Sequence, residues 1–238
     1  MGYGPDRVVP LALHVDYFND PWKDPFSDPQ FSRREEEYSR IYHEANRGTA
    51  PDVLYFTPLV MVDGRYPLLG SGPENKAKLR AALDRALREK PEVSLELALE
   101  DAGAGPGRKT LKVSIRALTP RAAGRPMLVG VATFEDRVST KVGAGELAGK
   151  TYVGRNVTRK LAVQPANLLR KGATTLSFPV ELAEGWNPAR SGLAAFAQDE
   201  RSGRIYQAAT LPWKAPETIA PRSAVRPEPT PSTPPPDQ

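Results

Sequence analysis

Cysteine is absent from all 238 residues. Its absence excludes disulfides, thiolate catalysis and cysteine-ligated metal centres from the chain as given. It does not assign a compartment, because disulfide-free proteins occur on both sides of a membrane. Histidine is scarce as well: only His14 and His43 occur, and neither has a histidine partner at the short spacing that builds a metal site. No apolar run approaches the roughly 20 residues that a spanning helix needs, so no membrane span is expected. The opening MGYGPDRVV lacks the basic segment, apolar core and small-residue cleavage site of a signal peptide. Charge is only mildly unbalanced, 33 basic against 28 acidic residues for a net +5 and a pI near 9.4. With no Lys/Arg block and no RNA-binding aromatic signature, a nucleic-acid partner is not expected. The glycine-rich VGAGELAGK at 142–150 lacks the strand-loop-helix setting and the Gly-Lys-Ser/Thr ending of a phosphate loop. It reads as a connection, and no cofactor is expected.

What is present is organised around residues 8–31, VVPLALHVDYFNDPWKDPFSDPQF. Val8, Val9, Leu11, Ala12, Leu13 and Val15 form a nearly continuous apolar run, the pattern of a strand covered on both faces. Pro10 has no N–H, so pairing is expected to begin after it. The following loop carries Asp16, Asp20, Asp24 and Asp28 interleaved with Tyr17, Phe18, Trp22 and Phe26. Two readings stay open. A carboxylate-lined ligand or cation site fits the C-terminal end of a strand in an open α/β sheet. Alternatively, Pro21, Pro25 and Pro29 force turns that the Asp side chains cap, while the aromatics pin the loop down.

At 26.0 kDa the chain is long enough for two modest domains, each able to bury a core. A first helix is expected from Pro29, with Asp28 as N-cap and apolar residues recurring at three- and four-residue steps. Residues 59–62 and 66–69 flank Asp63-Gly64, the signal of a tight hairpin. After Pro73 comes a second helix with a stripe of Leu79, Ala82, Leu83, Ala86 and Leu87. Beyond Pro91 the apolar period changes to two at 93–99 and 111–115, and further strands are expected at 127–134, 151–163, 174–182, 193–198 and 205–209. Many short strands and no long helix predict a β-sandwich. From Lys214 onward proline dominates, and such a tail is expected to be disordered or polyproline-like.

The stretches HVDYFNDPWKDPF and FTPLVMVDGR, with GAGELAGKTYVGRNVTRKL at 143–161 and Trp186-Asn187, resemble domain-of-unknown-function family 1223, predicted secreted thioredoxin-like proteins. The resemblance covers most of residues 7–213. It implies a thioredoxin-like domain in 1–90, N-terminally incomplete, and with the β-sandwich expected in 91–213 and the disordered tail in 214–238 the fold class is α/β plus all-β. It also implies a periplasmic or secreted location and a cis Thr57-Pro58 bond, with Thr57, Pro58, His14, Asp16, Tyr17 and Trp22 as substrate-binding residues. Such proteins open with a strand and helix bearing C-x-x-C, which this sequence does not contain. Residues 11–15 are therefore expected to pair directly with 59–62, leaving an apolar patch where the missing helix would lie. Three functions follow. The leading one is an envelope binding or scaffold module without redox activity in this form, with an unidentified protein or peptide partner. The second is a thiol-disulfide oxidoreductase whose cysteines lie upstream of a misassigned start. The third is a metal-assisted hydrolase using the Asp16 to Asp28 loop with His14.

Overall fold

A computed structural model describes residues 2–51, 54–102 and 107–214. Two helices and eleven strands lie among them. α1 (Pro29–Ala45) starts where Asp28 accepts a 2.8 Å hydrogen bond from the Gln30 amide, with Pro29 in the first turn where its missing N–H costs nothing. β1 (Leu59–Val62) and β2 (Tyr66–Leu69) form the expected hairpin, turning at Asp63 and Gly64, both with positive φ. That left-handed pair is what an Asp-Gly hairpin turn requires. α2 (Pro73–Ala86) lies on this hairpin, and none of its residues is fully buried. Its apolar stripe covers only a two-stranded ribbon.

The remaining strands build a sandwich. β3 (Val93–Asp101), β4 (Arg108–Ala117) and β9 (Thr174–Glu181) form a three-stranded antiparallel sheet in the order β3-β4-β9. β5 (Pro126–Glu135), β8 (Val157–Asn167), β10 (Ser191–Asp199) and β11 (Ile205–Pro212) form a four-stranded sheet ordered β11-β10-β5-β8. A short ribbon of β6 (Val138–Lys141) and β7 (Thr151–Gly154) stands beside it, and residues 142–150 connect its two strands. Period-two alternation points Leu111, Val113 and Ile115 from one sheet at Met127, Val129, Val131, Leu193, Ala195 and Ala197 from the other, and these side chains form the main core.

The four-stranded sheet is covered on its outer face too. There Phe31 of α1 packs with Ala132, Leu161, Ala194 and Phe196, joined by Val9 and Leu11. β10 is consequently buried at every residue. Close approach on both sides accounts for its small side chains: a Cβ on Gly130 of the neighbouring strand would come within 2.1 Å of the Phe196 ring. The layers are thus a three-stranded sheet, a four-stranded sheet, and α1 with the N-terminal segment.

The expected central strand at residues 8–15 does not form. The segment makes one parallel bridge to the sandwich, where Ala12 donates to the Asn156 carbonyl at 3.0 Å and Thr158 donates back to Ala12 at 2.8 Å. A second isolated bridge joins His14 to Ser27. Nor do residues 11–15 pair with 59–62; β1 is hydrogen-bonded to β2 alone among the described strands. The physical reason is that Val9 and Leu11 pack, half-buried, on the outer face of the four-stranded sheet, while Leu13 stays 37% exposed. A ladder is not needed, and Pro10 could not have extended one. The 90/91 division falls between α2 and β3, while α1 and Val9 to Ala12 rest on the sandwich sheet. The proline-rich tail, Lys214 aside, lies outside the described residues. Among the described residues, no helix is long and apolar enough to cross a membrane.

Candidate functional site

Two clusters grow from the loop after residue 15. The first is a chain of polar groups. His14 Nδ1 lies 2.5 Å from Asp24 Oδ2, and its Nε2 lies 3.0 Å from the Tyr152 hydroxyl on β7. A carboxylate can only accept, so Nδ1–H donates to Asp24, and Nε2 is left to the Tyr152 hydroxyl. Burial, followed by the nearby Asp24 charge, raises the Tyr152 pKa, which keeps the hydroxyl protonated and able to donate. Phe26 and Tyr152 meet the His14 ring edge-on, at centroid distances of 5.8 and 5.4 Å. The imidazole opens on a small cavity of about 160 Å³ lined also by Trp22, Thr140, Val142 and Leu147. Trp22 seats against Gly143, where a Cβ would meet its ring at 2.4 Å. The orientation resembles a base held by a carboxylate, but its hydroxyl partner has a raised pKa and is a poor nucleophile. The arrangement is a bolt that fixes the loop to the β6–β7 ribbon.

Three of the loop's four carboxylates serve local structure. Asp24 accepts from the Phe26 amide at 2.9 Å, Asp28 caps α1, and Asp16 pairs with the Ser32 hydroxyl. Asn19 and Ser27 close the turn around Asp24. Among the described residues, no group of three or more His, Asp or Glu side chains is arranged to hold a metal ion.

The second cluster is aromatic and open. The Tyr17 ring lies 4.8 Å from Phe18 and 5.2 Å from Tyr55, centroid to centroid. Relative exposures are 38% for Tyr17, 65% for Phe18, 43% for Tyr55 and 44% for Phe56. Large side chains left this accessible side by side are unusual for a surface without a partner. Tyr17 is held by Glu35 at 3.1 Å and by the Thr57 hydroxyl, and Glu35 also accepts from the Phe56 amide at 3.3 Å. Burial pushes the Glu35 carboxyl up from its ordinary value. Thr57-Pro58 is cis and immediately precedes β1, whose Val60 is 42% exposed.

Of the six residues singled out in the sequence, Tyr17 and Thr57 meet directly, with Pro58 adjoining, whereas His14 and Trp22 line the separate small cavity. Asp16 points into the start of α1 through Ser32. Tyr55, Phe56 and Glu35 went unremarked, although the Tyr-Phe pair abutting Thr57-Pro58 was a legible signal. Tyr152 had none, standing 138 residues from His14.

A family model described as "Protein of unknown function (DUF1223)" matches residues 2–198. The chain belongs to the DUF1223 family. No curated protein matches this DUF1223 chain in sequence. Among solved structures, HBP35 of Porphyromonas gingivalis is similar with a TM-score of 0.53 at 14% identity, covering 82% of this chain and 63% of that one. The chain therefore spans less than two thirds of that protein, and the likeness concerns the fold alone. A domain of the outer membrane lipoprotein Omp28 from the same organism gives a TM-score of 0.31 at 12% identity, over 52% of this chain and 88% of that one. Sporulation control protein Spo0M from Bacillus subtilis gives 0.33 at 10%, over 51% and 48%.

Proposed function

We propose that this DUF1223 protein is a peptide-binding module without redox activity in this form, which takes an extended segment across Tyr17, Phe18, Tyr55 and Phe56 beside Thr57-Pro58. The observation that carries the reading is the exposure of Tyr17 with Phe18 and Tyr55 against its ring and of Phe56 next in the chain, with Tyr17 tied by its Glu35 and Thr57 contacts. Rigid aromatic side chains supply contact area at low entropic cost, since two torsions are all that binding must fix. The β1 edge beyond Pro58 offers backbone groups to an added strand, a common mode of peptide capture. The thioredoxin-like plan enters as the ancestry implied by the family resemblance, with a hairpin and a helix following Pro58 in the expected order. An envelope location is proposed on the same resemblance.

The test is selection of a random extended-peptide library against the full chain, with counter-selection on the Phe18→Asp, Tyr55→Asp variant. Both side chains are exposed, so the variant should keep its fold, checked by circular dichroism. Enriched peptides that lose most of their affinity for the variant support the reading. Failure to enrich any, or equal binding to both proteins, overturns it.

A further inference from the structure

A cavity of about 430 Å³ opens on the four-stranded sheet at the start of β10. Sites for small ligands begin at about 300 Å³, so the space is sufficient for one. Its walls are largely apolar: Phe134 at the end of β5, Leu211 and Pro212 at the end of β11, and Pro5 from the N-terminal segment. Gly192 pairs with both Phe134 and Pro212. Its missing side chain leaves room for the Phe134 ring, which a Cβ there would meet at 2.6 Å.

The rim is cationic. Arg137 and Arg190 both line the cavity, and both are exposed. The Asp136 amide donates to the Arg190 carbonyl at 2.8 Å, which ties the turn between β5 and β6 to the start of β10 and brings the two arginines to one opening. Asp136 also lines the cavity, but its carboxylate accepts from Arg155 Nε at 2.6 Å and from the Asn156 amide at 3.3 Å, while Arg137 Nε stands 3.8 Å from its other oxygen. Arg190 belongs to no ion pair among the described residues. Arg137 has a φ of 56°, in the left-handed region that glycine enters freely and other residues rarely occupy. An arginine kept there against the preference of the backbone points to a use for its side chain. We infer that this cavity binds a small carboxylate with an unbranched apolar body, a fatty acid in chemical class. The body lies on Phe134, Leu211 and Pro212, and the carboxylate meets Arg137 and Arg190. A guanidinium and a carboxylate match through paired hydrogen bonds, which fixes the ligand's direction. An apolar body is favoured over a peptide, because amides laid on those walls would lose water without gaining partners. The site shares no residue with the aromatic platform and is independent of the peptide-binding reading.

The test is titration of octanoate into the full chain at low salt, followed by NMR of backbone amides and aromatic rings. Saturable shifts are expected at Phe134, Gly192, Thr210 and Leu211. Octanamide, which keeps the body and lacks the charge, should bind roughly tenfold more weakly, as befits the loss of charge-assisted hydrogen bonds. The Arg137→Gly, Arg190→Gln variant should weaken octanoate by a similar factor and leave octanamide unchanged. Glycine suits the φ of 56°, so Arg137→Gly alone should not lower the thermal midpoint, which separates lost binding from lost structure. A lower midpoint would give Arg137 a structural role and overturn the inference. Absence of saturable shifts at these residues overturns it too, as does octanoate binding unaltered in the double variant. Acetate binding as tightly as octanoate would show that no apolar body is recognised. Tighter binding of N-acetyl-valyl-leucine than of octanoate would hand the site to a peptide C-terminus, and either result refutes the assignment.

Discussion

Phe31→Ala tests whether the N-terminal third and the sandwich form one cooperative body. Phe31 is 2% exposed and inserts from α1 between Leu161 and Phe196 on the outer face of the four-stranded sheet. A buried phenylalanine removes roughly 150 Å² of apolar surface from water, worth about 4 kcal/mol at ~25 cal/mol per Å². Measured truncations of this kind cost about 3–5 kcal/mol, because the cavity left behind only partly collapses. In a chain of this length, a loss of that size lowers Tm by roughly 10 °C. The assay is urea and thermal unfolding followed by tryptophan fluorescence, with Trp22 reporting on the loop and Trp186 and Trp213 on the sandwich. Hydrogen exchange in α1 and β4 is read alongside. The expected outcome is one transition, shifted as a whole, with protection falling in both elements. A loss under about 1 kcal/mol would refute the assignment of Phe31 as the anchor, given what burial of a phenylalanine is worth. Two separated transitions would refute the claim that the outer layer and the sandwich unfold together.

Three further expectations follow from the same contacts. Gly130→Ala places a Cβ within 2.1 Å of the Phe196 ring; it should cost about 1–3 kcal/mol by overpacking, and Phe196→Leu in the same chain should recover part of that in chemical denaturation. Tyr152→Phe deletes the hydroxyl that is hydrogen-bonded to His14 at 3.0 Å; a loss of about 0.5–1.5 kcal/mol is expected, together with faster amide exchange in residues 16–28. Burial raises the pKa of both Tyr38 and Tyr152 in the native state. The stability they contribute is complete below the unfolded tyrosine value near pH ~10 and is lost as pH rises from there toward their native values. Alkaline titration by tyrosine absorbance should therefore show these two ionising above the ordinary tyrosine range, and early, reversible ionisation of every tyrosine in the native protein would contradict it.

Local chemistry made much of the chain legible. Asp28-Pro29 announced the start of α1, Asp63-Gly64 the hairpin, and period-two alternation β3 and β4, because caps, turns and pleats are satisfied by near neighbours; the one strand expected at 151–163 is instead β7 and β8, which belong to different sheets. β6 escaped notice because four residues are too few to show a period. The acidic loop was legible in one of its two readings: Asp24 and Asp28 serve turns and a cap, as short polar side chains next to prolines do.

The misread segment is the most instructive. Val8 to Val15 carries the apolar density of a buried strand, yet it lies half-buried against a sheet face instead of within a sheet, with Leu13 37% exposed. Hydrophobicity states that side chains leave water; it does not state whether their backbone finds a ladder. The same limit applies to the two clusters. His14, Asp24 and Tyr152 converge, and Tyr17 finds Tyr55 and Thr57, through packing between residues far apart in sequence.

The amino-acid order by itself determined the absence of cysteine from the residues given, the Asp28 cap of α1, the hairpin and the first strands of the sandwich. Each of these depends on composition or on contacts within a few residues. Only the tertiary structure decided that the first apolar run lies outside the sheet, that β10 is covered on both faces, and that four aromatics stand exposed above a carboxylate. Those outcomes depend on which distant surfaces compete for the same burial, and that competition is settled by the assembled layers.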